Sequence, residues 1–159
     1  MNYDKHMNFL LDVDGVLTPG NFFYNSDGKI LKEFGPHDSY SLKKLKTRLN
    51  ISFISADKRG YEISEKRISD MGFKLSLVSE EDRFVFVSEN FDFSNLIYMG
   101  DGDADAPILK KAYKGIAPSN ARPKALKNAD FVTNNRGGNG AVADACDWIE
   151  NYILKGVTT

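Results

Sequence analysis

The sequence predicts an α/β fold, a doubly wound and mainly parallel sheet with helices on both faces. Short apolar segments alternate along the chain with longer segments whose apolar residues recur every three or four positions. The first pattern is typical of buried strands and the second of amphipathic helices. Strands that alternate with helices form parallel sheets, and ligands bind such sheets at the carboxyl ends of the strands.

Length and composition narrow the class of protein. A chain of 159 residues predicts one domain over residues 1–159, and a net charge of −1 gives no sign of a nucleic-acid or anionic-membrane partner. A polar start at residues 1–8, with no long apolar run, predicts neither a signal peptide nor a membrane span. The lone Cys146 excludes an internal disulfide and favours a reducing compartment. We therefore expect a soluble, cytoplasmic protein.

The first predicted strand, Phe9–Leu11, runs into a pair of carboxylates, Asp12 and Asp14, with Gly15 directly behind them. Alternate residues of an extended chain point to the same side, so both carboxylates should face the space beyond the strand. Carboxylates this close repel each other unless a cation or a proton lies between them. A strand followed by an ordinary Asp-Gly turn explains the same residues without a ligand.

A β-hairpin is predicted at about residues 21–34, where two extended segments flank Asp27-Gly28. Its aromatic residues have little local core, which favours a flap packed on another subunit. A hairpin folded over its own domain remains open.

The rest of the chain alternates in the same way. In chain order we expect a helix capped by Asp38 or Ser39, a strand at 51–54, a helix ended by Gly72, a strand at 73–77, a helix opening at Ser79, a strand at 96–99, a helix to about Tyr113, a strand at 116–117, a helix from Pro123, a strand at 131–133 and a last helix from about Val142. Phe84–Val87 would suit a strand by propensity, but the acidic residues before it favour a helix.

Oxygen-bearing side chains follow three of the predicted strands. Ser55 follows the second strand of the sheet, and the segment Gly100–Pro107 supplies Asp101, Asp103 and Asp105 after a later one. With Asp12 and Asp14 they predict a crevice of hard oxygen ligands without cysteine or a well-placed histidine. Such ligands select Mg²⁺, which prefers a site completed by a phosphate.

These segments resemble the haloacid dehalogenase superfamily phosphatases, and in particular the small, nearly capless group that acts on 3-deoxy-D-manno-octulosonate 8-phosphate. The resemblance rests on DVDGVLT, the hairpin, the strand ending in Ser55, GDGDADAP, PSNARP and GGNGAV, in that order. It implies a Mg²⁺-dependent phosphomonoesterase for a phosphorylated sugar or sugar acid, such as an octulosonate or nonulosonate phosphate. It also implies a hairpin flap with no cap domain. The protein would be a homotetramer in which this flap and the carboxyl-terminal segment of a neighbouring subunit help to close the site.

The resemblance gives the carboxylates their roles. Asp12 is expected to attack phosphorus and form an aspartyl phosphate. Asp14 is expected to act as general acid and base and to offer its backbone carbonyl to the metal. Asp101 is expected to complete the Mg²⁺ site through its side chain. Asp105 is expected to hold the water molecules bound to the metal.

Further residues are assigned to substrate by the same resemblance. The Ser55 hydroxyl and the N–H groups around Gly15 and Ala56 are expected to hold the phosphoryl oxygens, with Lys58 and Asn120 near the substrate.

The sequence departs from the family pattern at three positions. Arg83 is the candidate for the usual catalytic lysine, and an arginine is a planar fork rather than a compact ammonium. Gly102 stands where relatives often have a second aspartate, which leaves Asp105 to serve. Asp57 stands where relatives commonly have a basic residue suited to a sugar-acid carboxylate.

Two other classes of function stay open at this point. A phospho-receiver signalling domain also combines an α/β sheet, Mg²⁺ and an aspartyl phosphate, but its phosphoacceptor normally follows a middle strand. A catalytically degenerate assembly module with the same fold is the other alternative, and Arg83 and Gly102 are the residues that point to it.

Overall fold

A computed structural model describes residues 7–155 of the chain. The strands are β1 (Asn8–Asp12), β2 (Phe22–Asn25), β3 (Gly28–Lys32), β4 (Asn50–Ser55), β5 (Leu75–Leu77), β6 (Leu96–Met99), β7 (Lys114–Ala117) and β8 (Phe131–Val132). The helices are α1 (Pro36–Leu45), α2 (Tyr61–Asp70), α3 (Arg83–Asn90), α4 (Ala106–Lys111), α5 (Pro123–Asn128) and α6 (Ala141–Ile149), which continues as a π-helical turn, Glu150–Leu154.

Six strands form one parallel sheet in the order β5-β4-β1-β6-β7-β8, and β2 pairs with β3 as a separate antiparallel hairpin. The chain first adds β4 and β5 on one side of β1 and then places β6 against its other side. The strand order therefore reverses beside β1, which is where ligands bind in open α/β sheets.

β1 lies at the centre of the sheet because it is apolar on both faces. Phe9 and Leu11 pack into one core and Leu10 into the other, and all three are essentially inaccessible to solvent. A continuous apolar run of this kind is typical of a parallel strand covered on both sides. The same strand therefore anchors both layers and delivers Asp12 to the sheet's carboxyl edge.

Helices cover each face of the sheet, as the alternation predicted. One core contains α1, α2 and α6 through Leu42, Ile68 and Val142, and the other contains α3, α4 and α5 through Val87, Ile108 and Ala125. The α/β fold class is confirmed. Within residues 7–155 the chain carries the hairpin and no cap domain.

Two predicted helix starts are wrong. α1 begins at Pro36 rather than after Asp38 or Ser39, because proline suits the first helical position, where its missing N–H is not needed. The buried Asp38 instead accepts a hydrogen bond from the Ala143 N–H (2.9 Å) in the first turn of α6. α3 begins at Arg83, because Ser79 and Asp82 bond to each other in a turn before it.

Within residues 7–155 no helix combines the length and the apolarity needed to cross a membrane. The start of the chain, on which the expectation of no signal peptide rests, lies largely outside the described residues. Cytoplasmic location and a single domain over residues 1–159 stay predictions.

Candidate active site

A crevice of about 570 Å³ opens at the carboxyl edge of the sheet, above β4, β1 and β6. Because these three strands are neighbours, the residues that follow them converge as the sequence predicted. Of the predicted site residues, Asp12, Asp14, Ala56, Arg83, Asp101 and Asp105 line this crevice.

One side of the crevice, here called the acidic side, consists of Asp12, Asp101 and Asp105 with Arg83. Oxygen atoms of the three carboxylates lie within 4.8 Å of one another. Burial raises the pKa of Asp12 well above its usual range, and the charges of Asp105 and Asp101 raise it further against the opposing effect of Arg83. Burial and then Asp105 raise the pKa of Asp101 to about 6. The carboxylates of the acidic side thus carry more negative charge, when ionised, than Arg83 alone can balance.

Arg83 links two of these carboxylates from the start of α3. Its Nη1 donates to Asp105 Oδ1 (2.7 Å), and its Nη2 lies 3.4 Å from Asp12 Oδ1. The side chain is almost fully buried, and although burial opposes its charge, Asp12 holds the pKa of Arg83 above the ordinary value. The planar fork therefore contacts the two carboxylates through two separate nitrogen atoms.

Asp105 is held by four hydrogen bonds from the protein. Tyr98 Oη donates to the same Oδ1 as Arg83 (2.5 Å), while Oδ2 accepts from the N–H groups of Asp101 (3.1 Å) and Gly102 (2.8 Å). Each carboxylate oxygen of Asp105 accepts two hydrogen bonds, which uses its full capacity as an acceptor. Asp105 thus orients the loop that carries Asp101, and its part in a metal site stays a prediction.

The donor set of the acidic side fits a divalent cation. Three carboxylates, two of them buried, lie around one guanidinium, so their ionised forms outnumber the positive charge. The free oxygens belong to carboxylates, which are ligands for Mg²⁺. Gly15 has a φ of +84°, and a Cβ there would overlap the Asp101 carboxylate, so a glycine is required for Asp101 to lie against this turn.

The opposite side of the crevice, here called the hairpin side, consists of Asp14 and Asp57 with Lys29 and Lys32 of β3. Lys32 Nζ lies 2.8 Å from Asp14 Oδ1 and 2.7 Å from Asp57 Oδ2, and Lys29 Nζ lies 2.6 Å from the same Asp57 oxygen. Although burial acts the other way, the hydrogen bonds from Lys29 and Lys32 lower the pKa of Asp57 to about 2. Here two carboxylates are balanced by two ammonium groups.

Sequence reasoning missed both lysines. The hairpin folds over the crevice of its own chain, which was the second of the two placements considered. Its exposed face still carries Phe23 and Leu31. Asp57, at the position where the family pattern would have a basic residue, is paired with two lysines of the hairpin.

The predicted phosphate-binding residues are not all at the crevice. Ser55 is buried at the end of β4, with its Oγ 3.4 Å from Asp14 Oδ2 and accepting from the Asp57 N–H. Lys58 is exposed and does not line the crevice. Asn120 Nδ2 donates to the Gly15 carbonyl (3.0 Å), and its Oδ1 accepts from the Gly137 N–H (2.7 Å). Asn120 therefore braces the turn behind the carboxylates.

Comparison with known proteins agrees with this geometry. The profile of the haloacid dehalogenase-like hydrolases matches residues 83–145. The 3-deoxy-D-manno-octulosonate 8-phosphate phosphatase of Salmonella typhi is 29% identical over 144 residues, which cover 87% of this chain and 76% of that protein.

Two solved structures share the fold. The cobalt-bound deoxy-D-mannose-octulosonate 8-phosphate phosphatase of Haemophilus influenzae is 26% identical, with a TM-score of 0.79 over 91% of this chain and 88% of that one. The 3-deoxy-D-manno-octulosonate 8-phosphate phosphatase of Moraxella catarrhalis, in complex with a magnesium ion, a phosphate ion and KDO, is 27% identical, with a TM-score of 0.70 over 91% and 86% of the two chains.

The fold and the comparisons define the class: the chain is a phosphoric monoester hydrolase, and it is similar to the haloacid dehalogenase-like hydrolases. Within that class it is similar over most of its length to the 3-deoxy-D-manno-octulosonate 8-phosphate phosphatases. The resemblance inferred from the sequence is confirmed.

Proposed function

We propose that this hydrolase is a Mg²⁺-dependent phosphatase of a small phosphorylated sugar or sugar acid that works through an aspartyl phosphate. The observation that carries the proposal is the charge of the acidic side. Asp12 lies among carboxylates that outnumber their one cation, so both the nucleophile and an incoming phosphate need a further positive charge. A divalent ion supplies it.

Asp12 acts as the nucleophile, and Asp14 acts as the general acid and then as the general base. A carboxylate oxygen of Asp12 forms a bond to phosphorus while the bond from phosphorus to the sugar oxygen breaks. Asp14 gives its proton to that departing oxygen and then takes one from the water that attacks the aspartyl phosphate. Phosphate leaves, and both side chains return to their starting states.

Asp12 and Asp101, together with the backbone carbonyl of Asp14, would hold the metal. When bound, Mg²⁺ neutralises the nucleophile and the phosphate that it attacks. The Ser55 hydroxyl, whose Oγ is 3.4 Å from Asp14 Oδ2, and N–H groups of the following loop would donate hydrogen bonds to phosphoryl oxygens.

The substrate class rests on the relatives, whose names give an eight-carbon sugar-acid phosphate. The hairpin side supports an anionic sugar because Asp57 is paired with Lys29 and Lys32 and so does not repel a carboxylate. We place octulosonate and nonulosonate phosphates first among the candidates.

We also propose a homotetramer assembled through the hairpin. Its outer face exposes large apolar side chains, with Phe23 61% and Leu31 58% accessible. An exposed apolar patch of this kind marks an interaction surface. Light scattering should show a tetramer for the wild type and smaller species for Phe23→Ser/Leu31→Ser. A monomeric wild type would reject the assembly without affecting the chemistry.

Phosphate release from a panel of sugar phosphates tests the enzymatic proposal. We expect turnover with Mg²⁺, none with a chelator, and none for Asp12→Asn or Asp14→Asn, each folded by circular dichroism. Asp103→Asn is the matched control, because Asp103 lies in the same loop as Asp101 but pairs only with the exposed Arg122 (3.8 Å). Activity that survives in Asp12→Asn would remove the mechanism.

The same assay separates the two alternative classes. A receiver domain would retain a phosphoaspartate that outlasts the assay, and a degenerate module would release no phosphate from any substrate. The degenerate module was suggested by Arg83 and Gly102. Both bond to Asp105 within the acidic side, which argues that these residues belong to a working site.

A further inference from the structure

The ammonium group of Lys32 is enclosed between the hairpin and the crevice. Its side chain has no accessible surface. Nζ lies 2.8 Å from Asp14 Oδ1, 2.7 Å from Asp57 Oδ2 and 2.8 Å from Ser64 Oγ. An ammonium has three N–H donors, so each finds one acceptor and none is left for substrate.

The three acceptors come from different parts of the fold. Asp14 follows β1, Asp57 follows β4, and Ser64 lies in α2. One buried cation therefore fixes the hairpin to both loops that frame the crevice and to the helix behind them.

A β-bulge in the hairpin makes this arrangement possible. Tyr24 pairs with Lys29 while the preceding Phe23 pairs with Leu31, so β3 has one extra residue, Ile30. In a regular strand two positions three apart face opposite sides, and an inserted residue brings them to the same side. The bulge thus turns Lys29 and Lys32 together toward the crevice.

We propose that Lys32 is a positioning residue, which holds the Asp14 carboxylate at the angle needed for proton transfer to the departing oxygen. This inference rests on the proposed role of Asp14. Without Lys32, Asp14 would keep only the long contact to Ser55 Oγ (3.4 Å) and would rotate in a crevice where 32% of its side chain is accessible. A hairpin residue of the same chain would then act in catalysis by holding the general acid in place.

The leaving group provides a test that a purely structural role would not pass. Protonation matters for a sugar alkoxide and little for p-nitrophenolate, which departs without a proton. We expect Lys32→Met to lower kcat/KM for the preferred sugar phosphate by roughly 100-fold, the lower end of what a positioned general acid contributes. For p-nitrophenyl phosphate the loss should stay within about threefold, because metal, nucleophile and phosphate contacts are intact.

Three further variants complete the experiment. Lys32→Arg, which keeps charge and donors, should recover part of the lost rate on the sugar phosphate. Lys46→Met is the control, since Lys46 Nζ bonds to the Gly72 carbonyl away from the crevice, and it should match the wild type. In Asp14→Asn, which should not turn over, single-turnover release of p-nitrophenolate should be nearly the same with and without Lys32→Met.

Equal losses on both substrates in Lys32→Met, or wild-type rates on both, would overturn the positioning role while leaving the phosphatase proposal intact. If Lys32→Met does not fold, the comparison of the two substrates is made with Lys32→Arg, and an unchanged ratio there counts against the role. Absence of Mg²⁺-dependent turnover in the wild type would instead overturn the proposed function, and this inference with it.

Discussion

On the acidic side of the crevice three carboxylates share one guanidinium, whereas on the hairpin side two carboxylates share two ammonium groups. Both sides contain close Asp residues, yet burial and mutual repulsion raise the pKa of Asp12 and Asp101, while lysine contacts lower that of Asp57 despite its burial. The unbalanced side is suited to take up a cation. The balanced side is suited to hold its groups in place.

Removing a proposed metal ligand from the acidic side should have the largest effect on the protein. Asp101→Asn should weaken Mg²⁺ binding and lower activity at limiting Mg²⁺ by at least about 100-fold, above the range typical for residues behind the ligands. Calorimetric titration with Mg²⁺ and steady-state kinetics measure both. Asp103→Asn should behave as the wild type. An equal loss in the two variants would contradict the assignment of Asp101 as a metal ligand.

Changing the one cation of the acidic side should have the next largest effect. Arg83→Met leaves Asp12 and Asp105 without their shared partner, and we expect an activity loss of roughly 10- to 100-fold. Arg83→Lys should fall between wild type and Arg83→Met, because it keeps the charge but not the fork. Thermal unfolding should show Arg83→Met destabilised and partly rescued by Mg²⁺. A variant as active as the wild type would contradict the account.

The raised pKa of Asp101 predicts how metal binding depends on pH. The ligand must be ionised, so protons compete with Mg²⁺ below the pKa of about 6. Apparent affinity should rise by up to about tenfold per pH unit below 6 and more gradually above it, because the pKa of the second ligand, Asp12, is also raised. Titrations between pH 5 and 8 measure this, and an affinity independent of pH would be inconsistent with burial of an unbalanced carboxylate.

The smallest expected effect concerns the stability of the hairpin side. The folded-state pKa of Asp57, about 2, lies below the ordinary 3.8, so its ionised form adds stability above pH 3.8 that is lost as pH falls through 2. Asp57→Asn should therefore be less stable than wild type at pH 7, by an amount that shrinks on acidification. Urea unfolding at several pH values measures the gap. Asp27→Asn, in the exposed hairpin turn, should show none.

The acidic side was largely predictable from the sequence. Asp12 ends one apolar strand and Asp101 comes two residues after another, and the carboxyl ends of neighbouring parallel strands lie together. Arg83 was found by resemblance, but its fork between Asp12 and Asp105 depends on where α3 begins. Tyr98 was missed because a tyrosine within an apolar strand is indistinguishable from core until its hydroxyl finds a partner.

The hairpin side was not predictable in the same way. Local pattern identified the hairpin but not the direction in which it folds, which depends on contacts with β1, β4 and α2 far away in sequence. The spacing of Lys29 and Lys32 suggests opposite faces, and only the bulge at Ile30 reverses that. Two lysines in a strand of a hairpin rich in aromatic residues were the available signal.

A crystal structure of the protein with Mg²⁺ and beryllium fluoride, which mimics a phosphoryl group on aspartate, tests the central claim most directly. The account predicts the fluoride complex on the Asp12 carboxylate and one Mg²⁺ at about 2.0–2.1 Å from oxygens of Asp12, Asp101 and the Asp14 main chain. Occupation of another carboxylate, or a metal bound away from the acidic side, would contradict it.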